Sequence, residues 1–386
     1  MEEKLIYLDN NATTAVAPEV LEAMLPFLSR QYGNPSSMHR FGGMVRHSID
    51  TARQQVADLL GCTPQEIIFT SCGSESDSMA IVGFSKTHKG RTRIVSSSVE
   101  HPAVRNLCAS LKSEGHETME IGVDPKGLLR MEMLDHVPMD QDTLLSFMWA
   151  NNETGVIFPV EELAKTAHAK GALFHTDAVQ AVGKIPMNLA KTEIDLLSLS
   201  GHKIHAPKGV GALYIKKGTR ISPFLVGGHQ EHGMRAGTEN VASIVGLGKA
   251  CELAKTHIES ENTTVKKLRD RLEAGLLATC EGAHRNGDAS LRLPNTTNVS
   301  FEFIEGEGIL LLLDEKNIAA SSGSACTSGS LEPSHVMMAM GVPYTLAHSS
   351  TRFSLSRYTT DSDVDAVLAI MPAIVSRLRK LSPYVK

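Results

Sequence analysis

Five short stretches of this sequence carry side chains suited to covalent or acid–base chemistry, and each follows an apolar run. Thr70-Ser71-Cys72-Gly73-Ser74-Glu75-Ser76 follows Phe69, Ser96 to Glu100-His101 follows Val95, and Ala150-Asn151-Asn152-Glu153 follows Trp149. His175-Thr176-Asp177-Ala178-Val179-Gln180 follows Phe174, and Ser200-Gly201-His202-Lys203 follows Leu199. An isolated lysine at a strand end is ordinarily a solvated cation. Lys203 differs because it shares a rim with Asp177. A lysine that forms a Schiff base, with an aspartate that pairs a pyridinium nitrogen, is the signature of pyridoxal 5′-phosphate chemistry. The aspartate keeps the ring nitrogen protonated, so that the ring draws electrons from a substrate α-carbon.

The neighbouring residues are weaker signals on their own. Gly73 and Ser74 stand in a turn before a helix-like run that starts near Ser78. Such a turn usually means a helix cap, but backbone N–H groups at a helix start also favour a phosphate. His101 precedes Pro102 at the start of another helix. It is either a capping residue or an imidazole that stacks on a ring and moves protons near neutral pH. Arg352 reads as a surface ion-pair partner or as a fork that grips an α-carboxylate in bidentate fashion.

Ser321-Ser322-Gly323-Ser324-Ala325-Cys326-Thr327-Ser328-Gly329-Ser330 is almost entirely small residues. A segment of this composition cannot build its own core and is expected to move. Free cysteines are usually buried, so Cys326 is a poor structural residue there. It suits a thiol that enters a pocket, collects something and swings out. The bland alternative is a linker with an incidental cysteine. The thiolate is the reactive form, so its environment must set its pKa.

These groups need a frame. Candidate strands run over Glu66–Ser71, Arg93–Ser98, Thr143–Trp149, Ala172–His175, Ile194–Ser200 and Gly211–Ile215. Helical periodicity lies between them, as in Val160, Leu163, Ala164 and Ala167, ended by Lys170-Gly171. That alternation predicts an α/β fold, a mostly parallel sheet covered by helices. Ligands of such sheets bind beyond the carboxyl ends of the strands, where all five clusters fall. A long helical region from Glu239 to about Cys280 leads into a smaller α+β domain. There Val299, Phe301 and Phe303 alternate with Ser300 and Glu302 as a half-exposed strand. A helix over 308–316, a strand near 352–356 and a last helix from Asp361 complete it. The division places a large cofactor-binding domain at 15–260 and a small domain at 1–14 and 261–386.

Length and composition agree with this frame. The 386 residues are enough for two domains. Hydrophobic residues make up 42% and charged residues 21%, an ordinary globular balance. A net charge of −5 leaves no electrostatic footprint for nucleic acid, and no basic run suits a membrane surface. The longest apolar run, Ile309 to Leu313, is too short to span a bilayer. Met-Glu-Glu-Lys does not begin a signal peptide, so a soluble, cytoplasmic protein is expected. Cys62, Cys72, Cys108, Cys251, Cys280 and Cys326 are scattered, without a C-x-x-C pair, which argues against a zinc ribbon or disulfide framework.

The motifs Tyr7-Leu8-Asp9-Asn10-Asn11-Ala12-Thr13-Thr14, Phe69 to Asp77, His175 to Gln180 and Ser200 to Lys203 closely resemble the NifS-type cysteine desulfurases. These belong to the fold type I, aspartate-aminotransferase-like pyridoxal-phosphate enzymes. The resemblance runs nearly end to end, and Ser322 to Ser328 resembles the long-loop group. It implies that Lys203 carries the cofactor and that Cys326 is the nucleophile. Asp177 would pair the pyridine nitrogen, Gln180 the ring hydroxyl, and His101 would stack on the ring. Gly73, Ser74, Ser200 and His202 would hold the phosphate, joined by Thr238 from the other subunit of a homodimer. Asn152 and Arg352 would face substrate carboxylate or cofactor.

The implied activity removes sulfur from L-cysteine, gives L-alanine and leaves a Cys326 persulfide. A NifU-type scaffold for iron–sulfur cluster assembly, including nitrogenase maturation, is the implied acceptor, with Cys326 also a candidate transient cluster ligand. Alternatives within the fold are a selenocysteine lyase and a cysteine-sulfinate desulfinase. Outside it stands a non-catalytic sulfur carrier, against which the Lys203–Asp177 pair argues.

Overall fold

The computed structural model describes residues 4–88, 90–322 and 332–382. At its centre is a seven-stranded sheet built from β2 (Ile67–Thr70), β3 (Arg93–Ser97), β4 (Glu117–Ile121), β5 (Thr143–Ser146), β6 (Leu173–Asp177), β7 (Leu196–Ser200) and β8 (Gly211–Ile215), while β1 (Ile6–Tyr7) lies apart. Its strand order is β2-β8-β7-β6-β5-β3-β4. The sheet is mostly parallel; β8 runs against both its neighbours. The carboxyl ends of β2, β3, β5, β6 and β7 therefore share one edge. The β4 strand is absent from the sequence expectation. It is a polar edge strand paired to β3 alone, with no apolar alternation to mark it.

Helices cover both faces. In chain order they are α1 (Pro18–Ser29), α2 (Arg40–Leu60), α3 (Gly73–Thr87), α4 (Pro102–Ser113), α5 (Val160–Ala169), α6 (Val241–Ser260), α7 (Lys266–Thr279), α8 (Gly306–Asp314), α9 (His335–Ala339), α10 (Tyr344–Ala347) and α11 (Asp361–Leu381). One face packs Ile68, Ile94, Leu144, Leu196 and Leu213 against Met79, Phe84, Val104 and Leu111 of α3 and α4. The other packs Phe69, Val95, Leu145, Phe174 and Leu197 against apolar residues of α2, α5 and α6. Both faces of the inner strands are thus buried, and their apolar residues run on without a clean alternation.

A second core joins Leu8 to Leu272, Leu276, Val299, Phe301, Ile309, Leu313, Phe353, Val364 and Met371. It supports β9 (Ala283–Arg285), β10 (Thr296–Phe301) and β12 (Thr351–Ser354) in one antiparallel sheet, while β11 (Ile318–Ala319) pairs with β1. Leu293, Val336, Met337 and Met340 pack into the larger core instead, so the two cores interdigitate along the chain.

The expected half-exposed strand is in fact buried throughout. Its alternation is real, but the polar face meets protein rather than water. Thr296 Oγ1 accepts from Asn11 Nδ2 at 2.9 Å, and Asn298 Nδ2 donates to the Glu153 carbonyl oxygen at 3.3 Å. Phe303 falls beyond the strand, exposed and at φ 62°. The region from 239 to 280 is one continuous rod in which α6 passes into α7 through a π-turn at Glu261–Val265.

Candidate active site

A cavity of about 230 Å³ opens at the shared strand edge. Gly73, Ser74, His101, Asn152, Asp177, Gln180, Ser200, His202, Lys203 and Arg352 all line it. Thr238 does not; it is exposed, in the stretch preceding α6. Cys326 lies outside the described residues, as does all of 323–331.

Lys203 stands in a 3₁₀ turn directly after β7. Its Nζ donates to the carbonyl oxygens of Asn11 at 2.6 Å and Ala12 at 2.8 Å. Gln180 Nε2 donates to the same Asn11 oxygen at 3.0 Å. Asn11 itself spans both cores, through Nδ2 to the Asn152 carbonyl oxygen and to Thr296 Oγ1. The 9–14 segment is a wall of the site whose role the sequence did not reveal. It has no periodicity of its own, and its contacts lie hundreds of residues away.

Asp177 ends β6, and its Oδ1 accepts from the Val179 N–H at 2.9 Å. Burial raises its pKa, opposed by the charges of His101 and Lys203. Asp77 on α3 is a wall residue that sequence reasoning missed, because it sits amid an ordinary helical pattern. Burial and then the Asp177 charge push its carboxyl well above the usual range. His175 beneath them is held neutral, its pKa pushed down to about 3 by burial.

His101 caps α4: its Nδ1 accepts from the Ala103 N–H at 3.1 Å. In the neutral ring this leaves the hydrogen on Nε2. Burial lowers the His101 pKa; Asp177 works against that shift and Lys203 adds to it. The ring is thus a neutral Nε2–H donor at neutral pH, where its titration was expected from sequence.

The helix at the other end of the cavity begins at Gly73, five residues before the expected Ser78. Serines weaken the helical signal there. The Glu75 carboxylate braces the turn, accepting from the Ser71 N–H at 2.9 Å, from the Ser71 hydroxyl and from Arg235 Nε at 2.8 Å. No side chain caps this helix, so its first N–H groups face the cavity end as an anion site. A Cβ at Gly73 would fall 2.7 Å from Val179 Cγ2, so glycine lets this turn close onto the Asp177 loop. Ser200 Oγ is buried there without a hydrogen-bond partner. His202 Nδ1 lies 3.2 Å from Thr13 Oγ1, and burial brings its pKa down to about 4.

Arg352, on β12, donates through Nη2 to Asp9 Oδ1 at 2.7 Å and through Nη1 to the Asn152 carbonyl oxygen at 2.9 Å. Its Nε is buried without a partner. Both flanks of the undescribed 323–331 segment are fixed at this wall. The Arg352 N–H donates to the Ser321 oxygen at 2.6 Å, and Ser334 Oγ donates to Glu153 Oε2 at 2.5 Å.

The five described cysteines are free. Burial raises Cys62 and Cys108 to about 12 and pushes Cys251 and Cys280 upward, which disfavours their thiolates. Cys72 lines the cavity, a position the sequence did not single out. Among the described residues no His, Cys, Asp and Glu cluster could hold a metal, and no helix is long and apolar enough to cross a membrane.

Known proteins share this arrangement. The aminotransferase class-V family model matches residues 6–367. A cysteine desulfurase from Gluconacetobacter diazotrophicus is 60% identical over 98% of this chain and 95% of its own. Cysteine desulfurase NifS from Azotobacter vinelandii is 57% identical over 98% of this chain and 94% of its own. Among solved structures, a NifS-like protein superposes with a TM-score of 0.91 at 40% identity, covering 97% of this chain and all of the other. A NifS-like protein from Rickettsia africae gives 0.87 at 33% identity, covering 97% of this chain and 100% of the other. With its sheet edge, cavity and near full-length similarity in agreement, the chain belongs to the class-V aminotransferase family of pyridoxal-phosphate enzymes, among the NifS-type cysteine desulfurases.

Proposed function

We propose that the protein is a pyridoxal 5′-phosphate-dependent sulfurtransferase that removes sulfur from L-cysteine, releases L-alanine and leaves a persulfide on Cys326. The observation that carries this reading is one cavity uniting Lys203, Asp177 and Arg352, with the chain leading to Cys326 paired to Arg352 at Ser321.

The residues fit the cofactor at both ends. The uncapped start of α3 and the unpartnered Ser200 hydroxyl suit a phosphate, with Gly73, Ser74 and His202 around it. Asp177, a buried carboxylate on the cavity wall, suits a protonated ring nitrogen. When bound, pyridoxal phosphate supplies an electron sink for the substrate's α-carbon.

The chain's own groups do the rest. Lys203 Nζ is the attachment point and then holds the α-proton. His101 covers the ring and offers Nε2–H, and Gln180 faces the ring hydroxyl. Arg352 grips the α-carboxylate beside Asn152, its idle Nε supplying an unused donor. The Cys326 thiolate attacks the substrate sulfur. One C–S bond breaks and one S–S bond forms. The β-carbon keeps the electron pair and takes a proton, while the two sulfurs are jointly oxidised to the persulfide level. No outside oxidant enters.

A homodimer, with Thr238 completing the phosphate site of the partner subunit, is part of this reading. The exposed apolar side chains Leu21, Leu25, Leu28, Tyr32, Met38 and Met44 support it. A NifU-type iron–sulfur scaffold is the proposed acceptor, with cytoplasmic sulfur transfer and nitrogenase maturation as the setting.

Purified protein given L-cysteine, pyridoxal phosphate and a thiol reductant should yield alanine and sulfide in equal amounts. Turnover of selenocysteine or cysteine sulfinate without turnover of cysteine contradicts the assignment.

A further inference from the structure

Lys184 lies four residues beyond Gln180, in the turn after β6, and is buried. Among the described residues it forms no ion pair, and Glu261 acts on it only as a nearby charge, a costly arrangement for a lysine. Its Nζ donates instead to the Gln180 carbonyl oxygen and to Gln180 Oε1, both at 3.1 Å. An amide whose oxygen is turned toward the Lys184 Nζ donor presents its N–H side in the opposite direction. One Nε2 hydrogen goes to the Asn11 oxygen that also receives Lys203. The other remains for the cavity, which Gln180 lines. Without the Lys184 Nζ donor, the amide is free to turn its oxygen inward.

A second, smaller cavity of about 20 Å³ lies behind this pair, lined by Lys184, Lys203, Asn10, His205, Glu261 and Arg357, among others. Its size admits one water. Glu261 opens the π-turn, and its neighbour Asn262 donates Nδ2 to the Lys184 carbonyl oxygen at 2.8 Å. π-Turns of this kind are frequent at functional sites. Burial brings the Lys184 pKa down to about 7, with Glu261 opposing the shift and Lys203 and Arg352 adding to it, and His202 and His205 lie within its field. As amine or ammonium it keeps the two N–H donors that Gln180 uses.

We propose that Lys184 is a positioning residue: it acts through the Gln180 amide, aiming an N–H at the cofactor's ring oxygen and so lowering the proton affinity of the lysine nitrogen joined to the cofactor. This rests on the pyridoxal-phosphate reading of the cavity. A donor on that oxygen weakens the oxygen's hold on the proton it shares with the Lys203 nitrogen.

The test is an absorbance titration of the protein loaded with pyridoxal phosphate. Lys184→Met should raise the apparent pKa of the bound chromophore by about one unit, a tenfold gain in proton affinity. Gln180→Leu should give a similar rise, and the double variant no more than either alone. Fully additive shifts, or no shift in Lys184→Met, overturn the proposal. If Lys184→Met does not fold, Lys184→Gln keeps a donor and should titrate as the wild type; a rise equal to that of Gln180→Leu overturns it. Wild-type protein that forms no chromophore refutes the cofactor reading itself, a result separable from all of these.

Discussion

Lys203 Nζ donates to the carbonyl oxygen of Asn11 at 2.6 Å, so an amine at the edge of the central sheet is held by chain 192 residues earlier. The acceptor is main chain, so the contact fixes where the amine sits without depending on the Asn11 side chain. Lys203→Ala should lower turnover by about 10³-fold or more, since attachment and proton transfer are both lost. Borohydride reduction of the loaded wild type followed by peptide mapping should find the cofactor on Lys203. A label on Lys184 or any other lysine contradicts the assignment.

Arg352 is already tied to Asp9 and to the Asn152 carbonyl oxygen, which orients its free Nε edge. Replacing it by glutamine removes a charge-assisted contact worth about 1.5–3 kcal/mol. Arg352→Gln should therefore lower kcat/KM for cysteine about 10- to 100-fold, largely through KM. Steady-state kinetics with an unchanged KM would remove Arg352 from the substrate site.

Gly73 has no room for a methyl group, because Val179 Cγ2 stands 2.7 Å from where a Cβ would be. Gly73→Ala should push the phosphate turn away from the Asp177 loop and cost about 1–3 kcal/mol of stability. Urea unfolding of the cofactor-free protein should register that loss, and cofactor affinity should fall with it. A Gly73→Ala variant of wild-type stability would contradict the close packing of the two loops.

His101 is held below the ordinary histidine pKa by burial, with Asp177 partly offsetting the shift. Its neutral form therefore persists as pH falls through about 6.5, and protonation at Nδ1 would displace the Ala103 cap. Activity should hold at pH 6.5 and decline only at lower pH. His101→Gln should lose about 10²-fold in rate and lose that acid limb. A pH profile of unchanged shape in the variant would assign the limb to another group.

Much of the site could be read in advance because a parallel sheet delivers the ends of its strands to one edge. Gly73, His101, Asn152, Asp177 and Lys203 each follow an apolar run, and all five line one cavity. What stayed hidden depends on contacts distant in sequence. Asn11 matters through a carbonyl oxygen, which no side-chain pattern reports. Asp77 and Lys184 look like ordinary members of a helix and a turn until burial reveals their surroundings. Strand β10 alternates polar and apolar residues as a half-exposed strand does, but its polar face, Thr296 and Asn298, meets Asn11 and the Glu153 carbonyl oxygen instead of solvent. Gly73 starts its helix earlier than its serine-rich sequence suggests, since Glu75 in that first turn is held by Arg235 from a distant stretch of chain.

The central claim is that sulfur from cysteine arrives on Cys326. The most direct test is a single turnover of the loaded protein with L-cysteine in the absence of reductant, followed by mass spectrometry of the peptide carrying Cys326. The expected result is one added sulfur atom on Cys326, matched by one alanine released, and neither in Cys326→Ala. Alanine formed without added sulfur on Cys326, or a persulfide found on Cys72 instead, would contradict it.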